Sequence, residues 1–215
     1  MKRLYLVTIV IAISMLIALP SNANADLLNN SGFESPGGWW SNPDWWGIDK
    51  TADAAGTTNG GDDPYEGNWV FSVANDWGGS TSNASGSATQ DLAPVLSTGD
   101  TVNFSMHIKT DAGYTGSAKI KVDFLDNASA VLGTALSSSY GAGTDWTLAT
   151  ASGIVPVGTT KLKAYCLSEA MGIGSKAAHF DDGSVSIDPI PEPTSLLLLS
   201  TGLAGLLGFS KRKRT

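Results

Sequence analysis

The chain of 215 residues contains a single cysteine, Cys166. A lone cysteine excludes an intrachain disulfide, even in an exported protein. Cys166 alternates with Leu162 and Ala164 in an apolar run of period two, which predicts the inner face of a strand. We therefore expect a buried, unreactive thiol rather than a catalytic one.

Positive charge is also scarce once the two ends of the chain are set aside. Residues 26–190 hold seven of the 13 lysines and arginines but 19 of the 20 aspartates and glutamates, which gives them a net charge of −12. Such a surface repels nucleic acid and anionic lipid and attracts divalent cations. The composition therefore excludes a nucleic-acid-binding protein.

Side chains suited to catalysis are few. The two histidines, His107 and His179, do not stand in a metal-ligand spacing. We expect His107 at an outward strand position and His179 at the surface end of a strand. No G-x-S-x-G nucleophile motif occurs, and no acid–base pair for glycoside hydrolysis stands out. The sequence therefore predicts a protein that is not an enzyme.

The N-terminus has the three parts of a secretory signal peptide. Lys2 and Arg3 form a basic start, an apolar run covers Leu4–Leu19, and Ala23-Asn24-Ala25 is a small-residue cleavage site. An uncleaved anchor would not need such a site. We therefore predict cleavage by signal peptidase, with residues 1–25 removed and a mature chain that begins near Asp26.

The C-terminus carries a second pattern typical of a membrane-targeting segment. Pro191-Glu192-Pro193 precedes an apolar run from Leu196 to Phe209, and Lys211-Arg212-Lys213-Arg214 follows it. The basic residues resist crossing a bilayer, so they hold the end of the chain in the cytoplasm. The apolar run is shorter than the ~20 residues of a permanent membrane span. A processing signal and an ordinary tail anchor are the two readings of this pattern.

The order of these three parts resembles the PEP-CTERM sorting signal of Gram-negative bacteria. The resemblance implies that an exosortase reads Pro191, Glu192 and Pro193, and that residues 188–215 comprise a linker, a hydrophobic helix at about 195–210 and the basic tail 211–214. It also implies that the protein is held transiently in the inner membrane before it is released to, or displayed on, the cell surface.

Short alternating patterns between the two terminal targeting segments predict an all-β domain over residues 26–187. Thr101–Lys109 places Val102, Phe104, Met106 and Ile108 on one face, as expected for a half-buried antiparallel strand. About eight such segments fit a β-sandwich or jelly roll. The predicted strands are Leu27–Phe33, Trp69–Ala74, Ser85–Leu92, Thr101–Lys109, Lys119–Asp126, Trp146–Ser152, Lys161–Ser168 and Ala177–Ile187. The tract Ser35–Asp63 is predicted to be a long irregular loop, either functional or disordered.

Four segments, in order, are similar to the galactose-binding-like jelly rolls of carbohydrate-binding modules. They are Asn29–Glu34, Glu66–Val70, Asp145–Thr147 with Val155–Thr160, and Phe180–Asp182 with Val185–Ile187. Gly183-Ser184 departs from the pattern, because the valine normally follows the aspartate pair almost directly. This departure leaves the register of the closing strand open.

The resemblance implies a structural Ca²⁺ site, not a catalytic one. In such a jelly roll the first and last strands lie near each other, so Glu34 is expected to meet Asp181 or Asp182. Glu66 and backbone carbonyls would complete an oxygen cage, which suits the six to eight ligands of calcium. The alternative is that these four carboxylates are solvated surface acids.

Tryptophan is concentrated in and near the irregular tract. Flat aromatic faces stack on sugar rings, and neighbouring Asn and Asp side chains bind the hydroxyls. The candidate ligand-binding residues are Trp39, Trp40, Trp45, Trp46 and Trp77. Alternatively, some of these side chains only cover one end of the sandwich. Trp69 and Trp146 lie in predicted strands and are expected in the core.

These features together predict an exported surface or biofilm-matrix protein. The family resemblance favours a non-catalytic module that binds carbohydrate or exopolysaccharide and is stiffened by calcium. The alternative is a structural or adhesive surface protein without a specific glycan ligand.

Overall fold

The computed structural model describes residues 26–38, 40–59, 63–77 and 80–190. Ten strands occur in these ranges: β1 (Gly47–Lys50), β2 (Ala54–Asn59), β3 (Trp69–Asn75), β4 (Ala84–Leu92), β5 (Thr101–Thr110), β6 (Ser117–Leu125), β7 (Val131–Leu136), β8 (Thr147–Ile154), β9 (Lys161–Met171) and β10 (Ser175–Asp188). None of the described residues belongs to a helix that is long and apolar enough to cross a membrane. Trp39, both predicted processing sites and the predicted C-terminal helix lie outside the described residues.

The strands form two antiparallel five-stranded sheets packed as a sandwich. The first sheet has the order β1-β4-β9-β6-β7, and the second has the order β2-β3-β10-β5-β8. From β3 onward, successive strands are distributed between the sheets as in an eight-stranded jelly roll. β1 and β2 extend one edge of each sheet. The predicted all-β jelly roll is therefore confirmed.

Alternation builds the core as the sequence predicts. In β5, Val102, Phe104, Met106 and Ile108 are buried, whereas the residues between them are partly exposed. Cys166 is also buried in this core, and burial raises the pKa of its thiol well above the ordinary range. The thiol is therefore protonated and unreactive, as predicted.

The predicted first strand, Leu27–Phe33, is wrong as an element of regular structure. This segment is irregular because Asn30 and Phe33 adopt left-handed backbone conformations, with φ values of 51° and 58°. It still lies along β10, since the Leu27 amide donates to the Val185 carbonyl and the Gly183 amide donates to the Ser31 carbonyl. Phe33 is fully buried.

Three strands were not predicted, and two of them lie inside the tract Ser35–Asp63. β1 and β2 therefore correct the prediction that this tract is irregular throughout. β2 reads Ala-Ala-Gly-Thr-Thr-Asn and lacks the bulky alternation that marks a strand in sequence. β7 is an edge strand with mostly exposed side chains, so it also lacks a clear apolar face.

The departure at Gly183-Ser184 corresponds to an irregularity in β10. The pairing of β10 with β5 shifts register between Asp181 and Ser184, and Asp182 has a φ of 47°. The extra residues form a β-bulge, which bends the strand without ending it. β10 therefore continues to Asp188, and the bulge presents Asp181 and Asp182 in different directions.

Candidate functional site

Asp181 is a fully buried carboxylate in the bulge of β10. Its Oδ2 accepts hydrogen bonds from the amides of Tyr65 (2.9 Å) and Glu66 (3.1 Å). Its Oδ1 accepts one from the amide of Asp182 at 2.8 Å. Three backbone donors therefore hold this carboxylate in place.

Glu34 binds the same turn from the irregular N-terminal segment. Its Oε1 accepts hydrogen bonds from the amides of Asn68 (2.8 Å) and Trp69 (2.9 Å). Gly67 lies between the two contact points, with a φ of 64°, and a Cβ there would overlap the Glu34 carboxylate. The turn thus requires glycine on two counts, and it wraps around both acids.

Asp181 and Glu34 are close enough to influence each other. A Cβ added to Gly32 would lie 3.6 Å from Asp181 Oδ1 and 3.9 Å from Glu34 Cγ. Burial raises the pKa of Asp181 to about 7, the three backbone donors oppose this, and the Glu34 charge adds to the rise. A cation between the two carboxylates would offset both the cost of burying a charge on Asp181 and the repulsion between Asp181 and Glu34.

The other two predicted metal ligands point elsewhere. The Asp182 carboxylate lies 3.4 Å from His107 Nδ1 on β5. Glu66 is exposed, and it is its backbone amide that contacts Asp181. Within the described ranges, no three His, Cys, Asp or Glu side chains converge as a metal-binding group. Two carboxylates fit a calcium ion only if carbonyls and water supply the remaining ligands.

Two of the predicted ligand-binding tryptophans form a pair at the surface. The rings of Trp40 and Trp77 meet edge to face, with centroids 5.1 Å apart, and Trp77 is 52% exposed. The Trp40 amide donates to the Thr57 carbonyl on β2. The Trp77 amide donates to the Asp53 carboxylate at 2.8 Å. Backbone hydrogen bonds thus hold both residues beside β2.

Trp45 and Trp46 are adjacent but have opposite environments. Trp45 is 73% exposed, whereas Trp46 is 4% exposed. The Trp46 ring lies 5.2 Å from that of Phe33, and its Nε1 donates to the Asn29 and Asn30 carbonyls at 3.2 Å. The structure therefore places Trp46 in the core, where its ring faces are not open to a ligand.

Trp69 and Trp146 are only partly buried, so their predicted core positions are wrong. Trp146 immediately precedes β8, and its Nε1 donates to the Asp63 carbonyl at 3.0 Å. Its ring contacts Tyr65 edge to face at 6.1 Å. Tyr65 in turn stacks on His107 at 3.5 Å. The turn that holds Asp181 therefore also covers part of the outer face of the second sheet.

The outer face of the first sheet carries an aromatic position that was not singled out in the sequence. Lys121 Nζ lies 3.9 Å from the ring centroid of Tyr165, and Lys163 Nζ lies 5.8 Å from it. Tyr165 and Lys121 line a shallow cavity of about 200 Å³ together with Asp49, Lys50 and Glu169. The detectable signal was an aromatic residue at an outward position of the alternating run that contains Cys166.

This face also concentrates lysines, three of which pair with carboxylates: Lys119 with Glu169, Lys121 with Asp123 and Lys163 with Asp91. Four of the seven lysines in residues 26–190 lie on β6 and β9: Lys119, Lys121, Lys161 and Lys163. Burial raises the pKa of Tyr165 to about 12, and the Asp123 carboxylate adds to this effect. Tyr165 is therefore a neutral phenol flanked by ammonium groups.

Ser72, His179 and Asp111 form a chain that resembles a catalytic triad. Ser72 Oγ lies 2.8 Å from His179 Nδ1, and His179 Nε2 lies 3.2 Å from Asp111 Oδ1. Ser72 is nevertheless fully buried, and its Oγ also contacts Thr58 Oγ1 at 2.9 Å. A nucleophile must reach its substrate, so this chain is a buried structural network. His179 is 1% exposed, which corrects its predicted surface position.

The fold is shared with carbohydrate-binding modules. The chain is similar to the CBM22-1 xylan-binding domain from Paenibacillus barcinonensis Xyn10C, with 14% identity, a TM-score of 0.56, and coverage of 79% of this chain and 99% of that one. It is also similar to TmCBM61 in complex with β-1,4-galactotriose, with 15% identity, a TM-score of 0.52, and coverage of 75% and 97%. These likenesses show that the chain has the β-sandwich fold that such modules use.

Enzymes contain the same fold. The enzymatically active domain of tailspike protein 4 from bacteriophage CBA120 has 13% identity and a TM-score of 0.58, and the match covers 75% of this chain but only 21% of the tailspike chain. At such identities the likeness shows the fold alone. No curated protein matches the chain.

The second finding concerns the C-terminus. Residues 189–213 match the PEP-CTERM protein-sorting motif. The chain therefore carries the sorting signal that its Pro-Glu-Pro tripeptide, apolar run and basic end resemble. This signal indicates an exported protein that is anchored transiently in the membrane and processed by an exosortase.

Proposed function

We propose that this chain is a surface or extracellular-matrix protein whose sandwich binds exopolysaccharide without catalysing a reaction. The observation that carries the proposal is the Trp40–Trp77 pair, which Thr57 and Asp53 hold beside β2 on a sandwich fold that carbohydrate-binding modules share. An exposed ring that backbone hydrogen bonds fix in advance loses little entropy when it stacks on a sugar. Trp45 offers a further exposed ring, whereas Trp46 does not.

Two surfaces qualify for glycan contact, and they differ in charge. The Trp40–Trp77 pair lies beside Asp53, while the Tyr165 face carries lysines on β6 and β9. A neutral polysaccharide suits the first surface, and a polysaccharide with carboxylates suits the second. The tryptophan pair is the primary candidate, because its rings offer larger apolar faces than the Tyr165 phenol.

Affinity electrophoresis of the purified mature protein against a panel of neutral and acidic polysaccharides tests this assignment. Trp77→Ala is expected to abolish retardation in the gel, and Tyr165→Ala is expected to leave it unchanged. The opposite pattern would indicate that the polysaccharide binds at the Tyr165 face of the first sheet. If no polysaccharide retards the wild-type protein, the glycan proposal fails and the structural or adhesive alternative takes its place.

The absence of catalysis is part of the same proposal. It is supported by the burial of Ser72, the one described serine in a histidine–aspartate chain. Turnover of any bound polysaccharide by the purified protein, measured as new reducing ends, would contradict it.

We further propose that Ca²⁺ is a structural ligand between Glu34 and Asp181. Glu34 Oε1 takes both amide donors of the turn, which leaves Oε2 for a cation. Asp181 Oδ1 takes a single amide and has a lone pair to spare. Bound calcium would supply a positive charge that holds the two acids and the turn together, and it would take no part in a reaction.

A further inference from the structure

The edge formed by β7 and β8 is almost free of charge. Between Asp126 and Lys161 the sequence contains one charged residue, Asp145. Neither Val131–Leu136 nor Thr147–Ile154 contains any charged residue. Exposed edge strands usually carry charges or proline, because these discourage pairing with other chains. Neither a charged residue nor a proline occurs in β7 or β8.

The same edge is apolar. Twelve large hydrophobic side chains are exposed among the described residues, and six belong to β7, β8 or the turn after β8. These six are Val131, Leu132, Leu136, Leu148, Ile154 and Val157. A concentration of exposed apolar groups on a soluble domain marks an interaction surface.

β7 and β8 lie side by side, so the edges of both sheets form one surface. A Cβ added to Gly153 of β8 would lie 3.0 Å from the Ala135 Cβ of β7. Among the described residues, β7 is paired only with β6, and β8 only with β5. In β8 the Leu148 carbonyl accepts a hydrogen bond from the Tyr140 hydroxyl at 3.3 Å. The other backbone groups on the outer sides of the two strands face away from the described sheets. Such groups offer hydrogen bonds to another strand.

We propose that this edge is the docking surface for a second copy of the chain, which would pair with it edge to edge. A two-fold contact brings the same patch of both molecules together, so any charge in the patch would face its own like charge. Residues 26–190 carry a net charge of −12, so a two-fold contact through an acidic surface would bring carboxylates against carboxylates. The β7–β8 edge avoids this repulsion, and it supplies both apolar contacts and strand pairing.

Sedimentation velocity of the purified mature protein over a wide concentration range tests the proposal. The weight-average mass should rise towards twice the monomer mass. Higher salt should shift the transition to lower concentration, because it screens the net negative charge. Hydrogen exchange of the Thr147–Ile154 amides should slow as the dimer forms.

Leu136→Glu with Leu148→Glu is expected to keep the protein monomeric throughout, because it places a negative charge on each of the two strands of the proposed contact in both copies. Ile173→Glu is the matched control, since Ile173 is 70% exposed in the β9–β10 connection. It should dimerise as the wild type does. Circular dichroism melts establish that all variants are folded. A wild-type protein that stays monomeric, or a dimer that survives the double substitution, overturns the proposal.

Discussion

The two long edges of the sandwich are built differently. On one side, β1 and β2 end the two sheets, and the preceding chain covers β2: the Trp40 amide donates to the Thr57 carbonyl, and the Thr57 amide donates to the Ser41 carbonyl. On the other side, β7 and β8 end the sheets without such a cover among the described residues. β2 and β8 both lack charge, but only β2 is protected by its own chain.

This contrast shows how an edge strand can do without charges. The side chains of β2 are small, and the cover over them also carries Trp40, one half of the exposed ring pair. The same segment therefore covers the edge strand β2 and presents an aromatic ring at the surface. The uncovered β8 has the same need for a partner, which favours a partner from outside the chain.

On the covered side, the substitution with the largest expected effect on stability is Trp46→Ala. Trp46 fixes the chain just before β1 by packing on Phe33 and by donating to two carbonyls. Its removal is expected to cost about 3–5 kcal/mol in free energy of unfolding, the usual range for a buried aromatic residue. Urea denaturation measures this loss.

Trp45→Ala is the control for this substitution, because the same residue type is removed one position earlier from a 73% exposed site. It should change the free energy of unfolding by no more than about 0.5 kcal/mol. Equal losses in the two variants would mean that Trp46 is not the residue that fixes the segment.

A smaller substitution would turn the covered edge into an open one. Gly56 of β2 packs against the backbone of Trp40, and a Cβ there would overlap the Trp40 Cα and carbonyl carbon. Gly56→Ala is expected to cost about 1–3 kcal/mol through overpacking. Displacement of Trp40 should also change the tryptophan fluorescence and weaken polysaccharide binding.

Gly141→Ala provides the matched control, since a Cβ at Gly141 would meet no atom within 4 Å. Its stability and fluorescence should remain those of the wild type. If Gly56→Ala also behaves as the wild type, the cover over β2 is not held in the way the structure indicates.

The sequence was sufficient for the parts of the fold where side chains alternate regularly. β5 and β6 have clear inner and outer faces, and their predicted bounds differ from the observed ones by at most two residues. β2 was missed because its identity as a strand comes from burial on both faces, which small residues do not signal. The resemblance to the jelly rolls of carbohydrate-binding modules also predicted that Glu34 lies near the closing strand, and the structure brings it close to Asp181.

The irregular regions were harder to predict for a physical reason. Trp45 and Trp46 are chemically identical neighbours, and no periodicity in a loop indicates which one turns inward. Their difference depends on Phe33 and on two carbonyls that lie far away in sequence. The Tyr165 face was missed for the opposite reason, because lysines on outward strand positions are typical of an ordinary solvated surface.

The final and smallest effect concerns pH and calcium at the Glu34–Asp181 pair. Burial raises the pKa of Asp181 from 3.8 to about 7 in the metal-free protein. The native state therefore holds this proton more tightly than the unfolded state, so the contribution of Asp181 to stability is fully present below pH 3.8 and is lost as pH rises to about 7. Asp181→Asn should remove this part of the pH dependence of the melting temperature.

Calcium should reverse the sign of this contribution, because a bound cation favours the ionised carboxylate. We expect added Ca²⁺ to raise the melting temperature at neutral pH, chelation to lower it, and Glu34→Ala to abolish the response. Glu66→Ala is the control, because its exposed carboxylate lies outside the Glu34–Asp181 pair. A melting temperature that is insensitive to Ca²⁺ would mean that the two acids only anchor the turn through its backbone amides.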